Sequence, residues 1–490
     1  MRTISKERGH RDTILLLSIL ILGFALRLFH LTRNSFWVDE GFSVSIASHG
    51  LREIIAGTAA DQHPPLYYIL LHSWMYLGRD MFTIRLLSVL CGLLLIVVIY
   101  KIGSILFSPE AALWGAFFLA LSPAHIWYSQ EARMYALLAL LATSSIHFTW
   151  RLVERQSGVL WLGYGLVTLA ALYTHYFTIF IIIFQNAFVL VSSSWRRNWP
   201  LFTKWLSAQL ALLLGFVPWL PNFIFQIKYH SPTWIPRPDL LSIRDTLLYL
   251  SLGIKWITKA PAYIGSFWLF FALGAAIWAF IKTDKRKETI FVALWFLSPS
   301  IIITVFSLRY PLYQDKQFLI VIAPLLLLFA VGVNNVKAPL KTIALASLVI
   351  LVYSPLYDQY FVKQKQQWRE VARYIDAHAQ PHDVIFLNAA AGALTLNYYL
   401  ISDLPQEGYP HNYDLSKGGF DGTIATVDIV EEKLSRLAQR YRRIWLVQYC
   451  ASFWDPQGLI PAWLDGHGTL VRAPSFFDID VRLYQVGTDD

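Results

Sequence analysis

FTIRLLSVLCGLLLIVVIYKIGSIL, residues 82–106, holds only Arg85 and Lys101 as charges and reads as a membrane-spanning helix. A span needs about 20 predominantly apolar residues to cross a hydrocarbon core of roughly 30 Å. Working outward, runs of the same kind recur near 13–31, 110–128, 134–152, 158–176, 178–195, 205–222, 262–282, 288–306, 317–334 and 340–357. The fold class expected is therefore a mainly α, polytopic membrane protein of about eleven transmembrane helices, followed by a C-terminal extracytoplasmic α/β domain.

Composition agrees, since 56% of the 490 residues are hydrophobic and only 15% are charged. The net charge of +9 does not point to nucleic acid, because Lys and Arg stand in short clusters between apolar runs and not along one polar face. Those clusters set the expected topology. MRTISKERGHRD at the start is basic and places the N-terminus in the cytoplasm; Lys101, Arg151 with Arg155, Arg196 with Arg197, Lys282 to Lys287, and Lys337 with Lys341 then fall on inside turns. An odd number of crossings puts the end of the chain outside. The first apolar run, Thr13 to Phe29, leads to Arg33 and Trp37 without a small-residue cleavage site, so it is read as a permanent span. Cys91 lies in an apolar run and Cys450 in the polar C-terminal part, which makes a disulfide between them geometrically unfavourable.

Two domains are expected: 1–357, with a first outer loop over 32–81, and 358–490. Within the loop, HPPLYYILLHSWMYLG (63–78) is too short for a span and reads as an interfacial or re-entrant helix started by Pro64 and Pro65. Beyond 358, QWREVARYIDAHA and VEEKLSRLAQRYRR read as helices, HDVIFLN and IWLVQYC as strands.

Four constellations carry chemistry. FWVDEGF (36–42) puts Asp39 and Glu40 just after the first span, where a carboxylate serves either as a general base or as a charge on the N-terminal end of a short helix. Adjacent side chains diverge by about 100° on a helix, so one of the pair, Asp39, is taken to face a site. SPAHIWYSQEARMYAL (122–137) gathers Ser129, Gln130, Glu131 and Arg133 in one short turn; Arg133, read as just inside the next helix, suits a phosphate or, equally, a surface pair or headgroups. In DQHPPLYY (61–68), His63 is placed to hold a metal ion or a sugar hydroxyl, or to serve structure alone, and His175 in LYTHYF has the same alternatives. No HExxH or CxxC spacing occurs, so a metal site would need ligands from distant loops. Finally, Lys228, Arg237, Arg244, Lys255, Lys259, Arg309 and Lys316 stand against the positive-inside trend, as expected if something anionic, a substrate or lipid headgroups, docks outside.

Taken as a set, WVDEG, HPPLYY and SPAHIWYSQEARMYAL in this order resemble the GT-C glycosyltransferases, in particular bacterial relatives of dolichyl-phosphate-mannose protein mannosyltransferases and of the aminoarabinose transferase. The likeness covers the first 180 residues best. It implies an enzyme of the bacterial plasma membrane that moves a sugar from a polyprenyl-phosphate donor to a lipid, glycan or protein acceptor, with inversion. By that resemblance Asp39 is the catalytic base, and Glu40, His63, Glu131 and Arg133 bind substrate; Tyr67, Gln130, Tyr135, His175, Arg309 and Lys316 are expected to complete the substrate site. A divalent metal is the one cofactor it leaves open. One departure stands out. Relatives often carry an Arg-Tyr pair six residues before a proline, whereas here Gln317 and Phe318 precede Pro324, so Lys316 or Arg309 takes the phosphate role. The competing class is a transporter or flippase of a lipid-linked or anionic substrate, which should show charged or broken helices at the bilayer midplane. A non-catalytic envelope subunit is the third reading.

Overall fold

The computed structural model describes residues 2–195, 198–229, 235–253, 274, 277–278, 280–281, 283–414 and 424–486. It is mainly helical with one small sheet. The chain divides into two compact units: Met1–Leu31 with His63–Tyr67 and Arg85–Lys363, and Thr32–Gln62 with Tyr68–Ile84 and Gln364–Asp490.

Six helices among the described residues are long and apolar enough to cross a membrane: Met81–Leu106, whose first four residues group with the second unit, and Tyr135–Glu154, Trp199–Lys228, Arg286–Arg309, Asp315–Asn334 and Ala338–Val362 of the first. Three shorter apolar helices, Pro109–Leu121, Gly158–Thr174 and Thr178–Ser194, join them. The first predicted span lies in the helix Arg2–Leu28, and the span expected at 262–282 falls largely outside the described residues. Sequence sets the helix starts: Ser108 Oγ accepts from Ala111 N ahead of Pro109, Ser157 Oγ from Leu160 N, and Asn198 Oδ1 from Leu201 N, each satisfying a donor that the first turn leaves open.

The segment read as one span over 110–128 is two helices, Pro109–Leu121 and Pro123–Ser129. Pro123 cannot donate to the preceding turn, and Ser122 adopts an extended conformation and caps the second helix. The break frees carbonyls that a buried, low-dielectric interior penalises heavily. Arg27 takes them: its guanidinium, fully buried, donates to Leu119 O and Ala120 O at 3.1 Å each, to Gly23 O at 2.9 Å, and meets His125 Nδ1 at 2.8 Å. The charge inside the first span thus closes a helix end. HPPLYYILLHSWMYLG forms the helix Leu66–Trp74, whose 9 residues extend only about 14 Å, too short to cross.

The second unit holds a six-stranded sheet, ordered β2-β1-β3-β6-β4 with β5 paired to β6: β1 Asp383–Leu387, β2 Gln406–Gly408, β3 Arg443–Gln448, β4 Thr469–Arg472, β5 Ser475–Phe476 and β6 Ile479–Gln485. β1 pairs in parallel with both β2 and β3, and β6 runs antiparallel to β3. The two faces each bury a core, as alternation along a strand requires. Ile385, Leu387, Trp445 and Val447 pack under Trp368 and Ile375 of the helix Trp368–His378. Val384, Phe386, Ile444 and Leu446 meet Leu434 and Leu437 of the helix Val427–Arg440.

Residues 32–41 are strapped to this α/β layer. Arg369 donates to Thr32 O and Arg33 O at 3.2 and 2.8 Å, Tyr399 Oη accepts from Phe36 N at 2.7 Å, Ser35 donates to Gln366 O, and Gln366 Oε1 accepts from Val38 N at 3.0 Å. Gly41 approaches Thr395 so closely that a Cβ would lie 2.0 Å from its Oγ1, leaving no room for any other residue type without a shift. The first loop, assigned from sequence to the 1–357 domain, thus groups in part with residues 364–490.

Candidate active site

The acidic pair opens the helix Val38–Ala47, both carboxylates in its first turn, where the dipole favours negative charge. Helical geometry then separates them. Glu40 is fully buried and pairs with Lys365 at 3.2 Å, while Asp39 is half-buried. Tyr449 and Cys450, just after β3, both lie within electrostatic reach of Asp39. Burial first, then Cys450, and more weakly Asp39 push the Tyr449 phenol well up, so it remains a protonated donor beside the carboxylate. Gln366, buried, bonds both Val38 N and Asp478 (3.2 Å), which fixes where the helix begins and hence where Asp39 points. Lys365, Gln366 and Tyr449 were not found by sequence reading, because nothing local marks them.

In the first unit, four separate segments meet. The His63 and His175 rings stand 5.5 Å apart, His175 and Tyr135 6.2 Å, and Lys316 Nζ lies 5.4 Å from the Tyr135 ring centroid. Arg133 and Lys316 are both in electrostatic range of His175. His175 caps the helix Gly158–Thr174 and its Nδ1 accepts from Phe177 N at 3.2 Å, which puts the proton of the neutral ring on Nε2. Arg133, 3% exposed, stands one residue before Met134, the N-cap of Tyr135–Glu154, and so just outside that helix and not within it. Its carbonyl accepts from Ser88, which also meets Tyr67 Oη, each at 3.4 Å.

The remaining predicted residues divide. Glu131, 2% exposed, lies within electrostatic reach of Tyr128 and Tyr249. Gln130 spends its amide NH2 on Arg27 O and Phe29 O at 3.0 and 2.9 Å, fastening the end of the first span. Of the two late cations, Lys316 joins the cluster, while Arg309 is exposed at its helix end, 5.5 Å over its neighbour Tyr310. Arg244 is tied to Asp245 at 2.7 Å; Lys255 and Lys259 lie outside the described residues. Among the described residues no three His, Cys, Asp or Glu side chains stand together as a metal site.

Beside this cluster lies a cavity of about 380 Å³, all of it in the first unit. Trp127, Tyr249, Tyr313, Asp315, Lys316 and Lys363 line it, among others. Lys363 Nζ sits 3.5 Å from the Trp127 ring centroid, and Thr246 donates to Asp315 Oδ1 at 2.7 Å. Burial pushes the Tyr313 phenol up to about 12, so it too stays a donor. Lys363 was missed, although a lysine directly after the last apolar run departs from the positive-inside trend just as Lys316 does.

Comparison with known proteins supports the fold. Residues 62–221 match the family described as dolichyl-phosphate-mannose-protein mannosyltransferase. The crystal structure of ArnT from Cupriavidus metallidurans in the apo state superposes with a TM-score of 0.66 at 14% identity, covering 97% of this chain and 98% of that one. The same protein bound to undecaprenyl phosphate gives 0.63 at 14% identity, covering 96% and 97%. The Archaeoglobus fulgidus oligosaccharyltransferase in complex with Zn and sulfate gives 0.55 at 12% identity, covering 96% of this chain and 73% of that one. No curated protein matches the sequence.

Proposed function

From a chain of GT-C fold, related to the protein mannosyltransferases and to ArnT, we propose a membrane glycosyltransferase that moves a sugar from a polyprenyl-phosphate donor to an acceptor on the outer face of the bacterial plasma membrane. The acceptor hydroxyl or amine attacks the anomeric carbon from the side opposite the phosphate. A new bond from oxygen or nitrogen to that carbon forms, the bond from carbon to phosphate oxygen breaks with its electron pair leaving on the polyprenyl phosphate, and Asp39 receives the proton. Inversion follows. Arg133 and Lys316 stabilise the charge that develops on the leaving phosphate. The observation that carries this reading is the gathering of Arg133, Lys316, His175, Tyr135 and His63 from distant parts of the sequence.

Binding of sugar-free polyprenyl phosphate tests the donor side. Arg133→Ala and Lys316→Ala should each weaken it by roughly 1.5–3 kcal/mol, the range for a hydrogen bond to a charged group, and the double variant should cost less than the sum. Arg133→Lys should rescue only in part, since the charge stays but the planar fork is lost. Affinity equal to wild type in Arg133→Ala would assign that arginine to packing.

Topology is part of the same reading: eleven crossings keep the basic turns inside and put residues 358–490 outside with Asp39 and Arg133. The two cysteines give a direct check, because Cys450 is exposed and Cys91 is buried. A membrane-impermeant thiol reagent added to intact spheroplasts should label Cys450, and Cys450→Ser should abolish the label. Labelling only after lysis would put the count of crossings wrong by one. The transporter reading gains nothing from Arg27, whose guanidinium closes the helix break at Ser122.

A further inference from the structure

The helix that carries Asp39, Val38–Ala47, meets the helix Gly392–Tyr399 of the α/β layer at one very close point. There a Cβ on Gly41 would stand 2.0 Å from Thr395 Oγ1, 2.7 Å from its Cβ and 2.8 Å from its Cα. Real Cβ contacts do not fall below 3.0 Å, so any side chain at 41 forces one of the two helices to move by about 1 Å.

The helix of Thr395 is the one that cannot yield. Leu396 is fully buried in the core with Trp368, Ile385 and Leu387, and a Cβ on Gly392 would lie 2.6 Å from the Trp368 ring. An interior packed this closely passes strain on to whatever can move. Val38–Ala47 can, since Val38, Asp39, Phe42 and Ser45 along it are only half-buried. Gly41 and Asp39 are two positions apart, about 200° on a helix, and so stand on nearly opposite sides. A push from Thr395 on residue 41 therefore carries the Asp39 carboxylate away from Thr395. The contact works by shape, because Thr395 Oγ1 is fully buried and has no hydrogen-bond partner among the described residues.

Resting on the reading of Asp39 as the base, we propose that Gly41 and Thr395 are positioning residues, whose side-chain-free contact sets where the base stands relative to the acceptor. The α/β layer thereby gauges the position of a carboxylate that lies more than 300 residues earlier in the chain.

The test adds purified full-length protein to membranes from a strain lacking this gene, which supply both lipid-linked donor and unmodified acceptor. Mass spectrometry follows the transfer rate, and binding of sugar-free polyprenyl phosphate is measured in parallel. Gly41→Ala should lower the rate by about 10²-fold, the cost of roughly 1 Å of misplacement, and leave that affinity within about twofold of wild type. Adding Thr395→Ala, which withdraws the nearest atom from 2.0 to 2.7 Å, should restore part of the rate, about tenfold. Combined with Asp39→Asn, Gly41→Ala should cost nothing more, because both changes act through one carboxylate. If Gly41→Ala does not fold, Thr395→Ala alone should slow transfer several-fold by leaving the helix loose, and Thr395→Val, which keeps the shape, should return the rate. The inference is overturned if folded Gly41→Ala transfers like wild type, if it slows Asp39→Asn by the factor it slows wild type, or if Thr395→Ala and Thr395→Val transfer alike. Normal transfer by Asp39→Asn would instead remove the base reading, and no transfer by wild type the glycosyltransferase reading, and this inference with either.

Discussion

Asp39→Asn is expected to lower the transfer rate by about 10²- to 10⁴-fold, the usual cost of losing a general base, while the protein still inserts and folds. The amide keeps the volume and the hydrogen-bonding shape of the carboxylate but cannot take a proton from the acceptor. What positions Asp39 is untouched by the change: Gln366 Oε1 still holds Val38 N, and Ser43 still donates to the Asp39 carbonyl at 2.9 Å. Purified variant and wild type should therefore melt alike and bind donor alike, and differ in turnover. Near-normal turnover in Asp39→Asn would remove the residue from the chemistry.

Glu40→Ala should act through stability. Glu40 is 0% exposed and the Lys365 side chain 9% exposed, so truncating the acid removes a carboxylate that stands 3.2 Å from a buried ammonium. Such a loss typically costs about 3–5 kcal/mol, whereas replacing both charges by apolar groups of similar size is often nearly neutral. Thermal unfolding should show a large drop for Glu40→Ala and recovery of most of it in Glu40→Leu with Lys365→Met. The double variant also separates two roles for Glu40. If the acid only anchors the helix that carries Asp39, transfer returns with stability; if it binds substrate, the stable double variant keeps a raised KM. A single variant that melts like wild type would mean that the pair contributes nothing to the fold.

The apolar spans were legible because each is a property of local composition. The helix break at Ser122 was written in Pro123, yet the segment 110–128 is apolar throughout and reads as continuous until Arg27 is found on the freed carbonyls. Asp39 and Arg133 stood out through their motifs, and the offset of adjacent residues on a helix foretold that Asp39 and Glu40 would part. Which partners they would meet was not foretold, since Lys365, Gln366 and Tyr449 are all more than 300 residues away in sequence. The cavity escaped for the same reason. Trp127, Tyr249, Asp315 and Lys363 come from separate stretches of the chain and line one cavity only in the folded protein. The strap that binds residues 32–41 to the α/β layer is likewise made of single long-range hydrogen bonds that leave no periodic trace.

The measurement closest to the central claim is mass spectrometry of the host's lipids and envelope glycans in three strains: wild type, a deletion of this gene, and the deletion carrying Asp39→Asn. The deletion should lack one sugar modification and accumulate the matching polyprenyl-phosphate sugar, and the Asp39→Asn strain should look the same despite normal amounts of protein in the membrane. Identical lipid and glycan profiles in wild type and deletion, or full restoration by Asp39→Asn, would contradict the account.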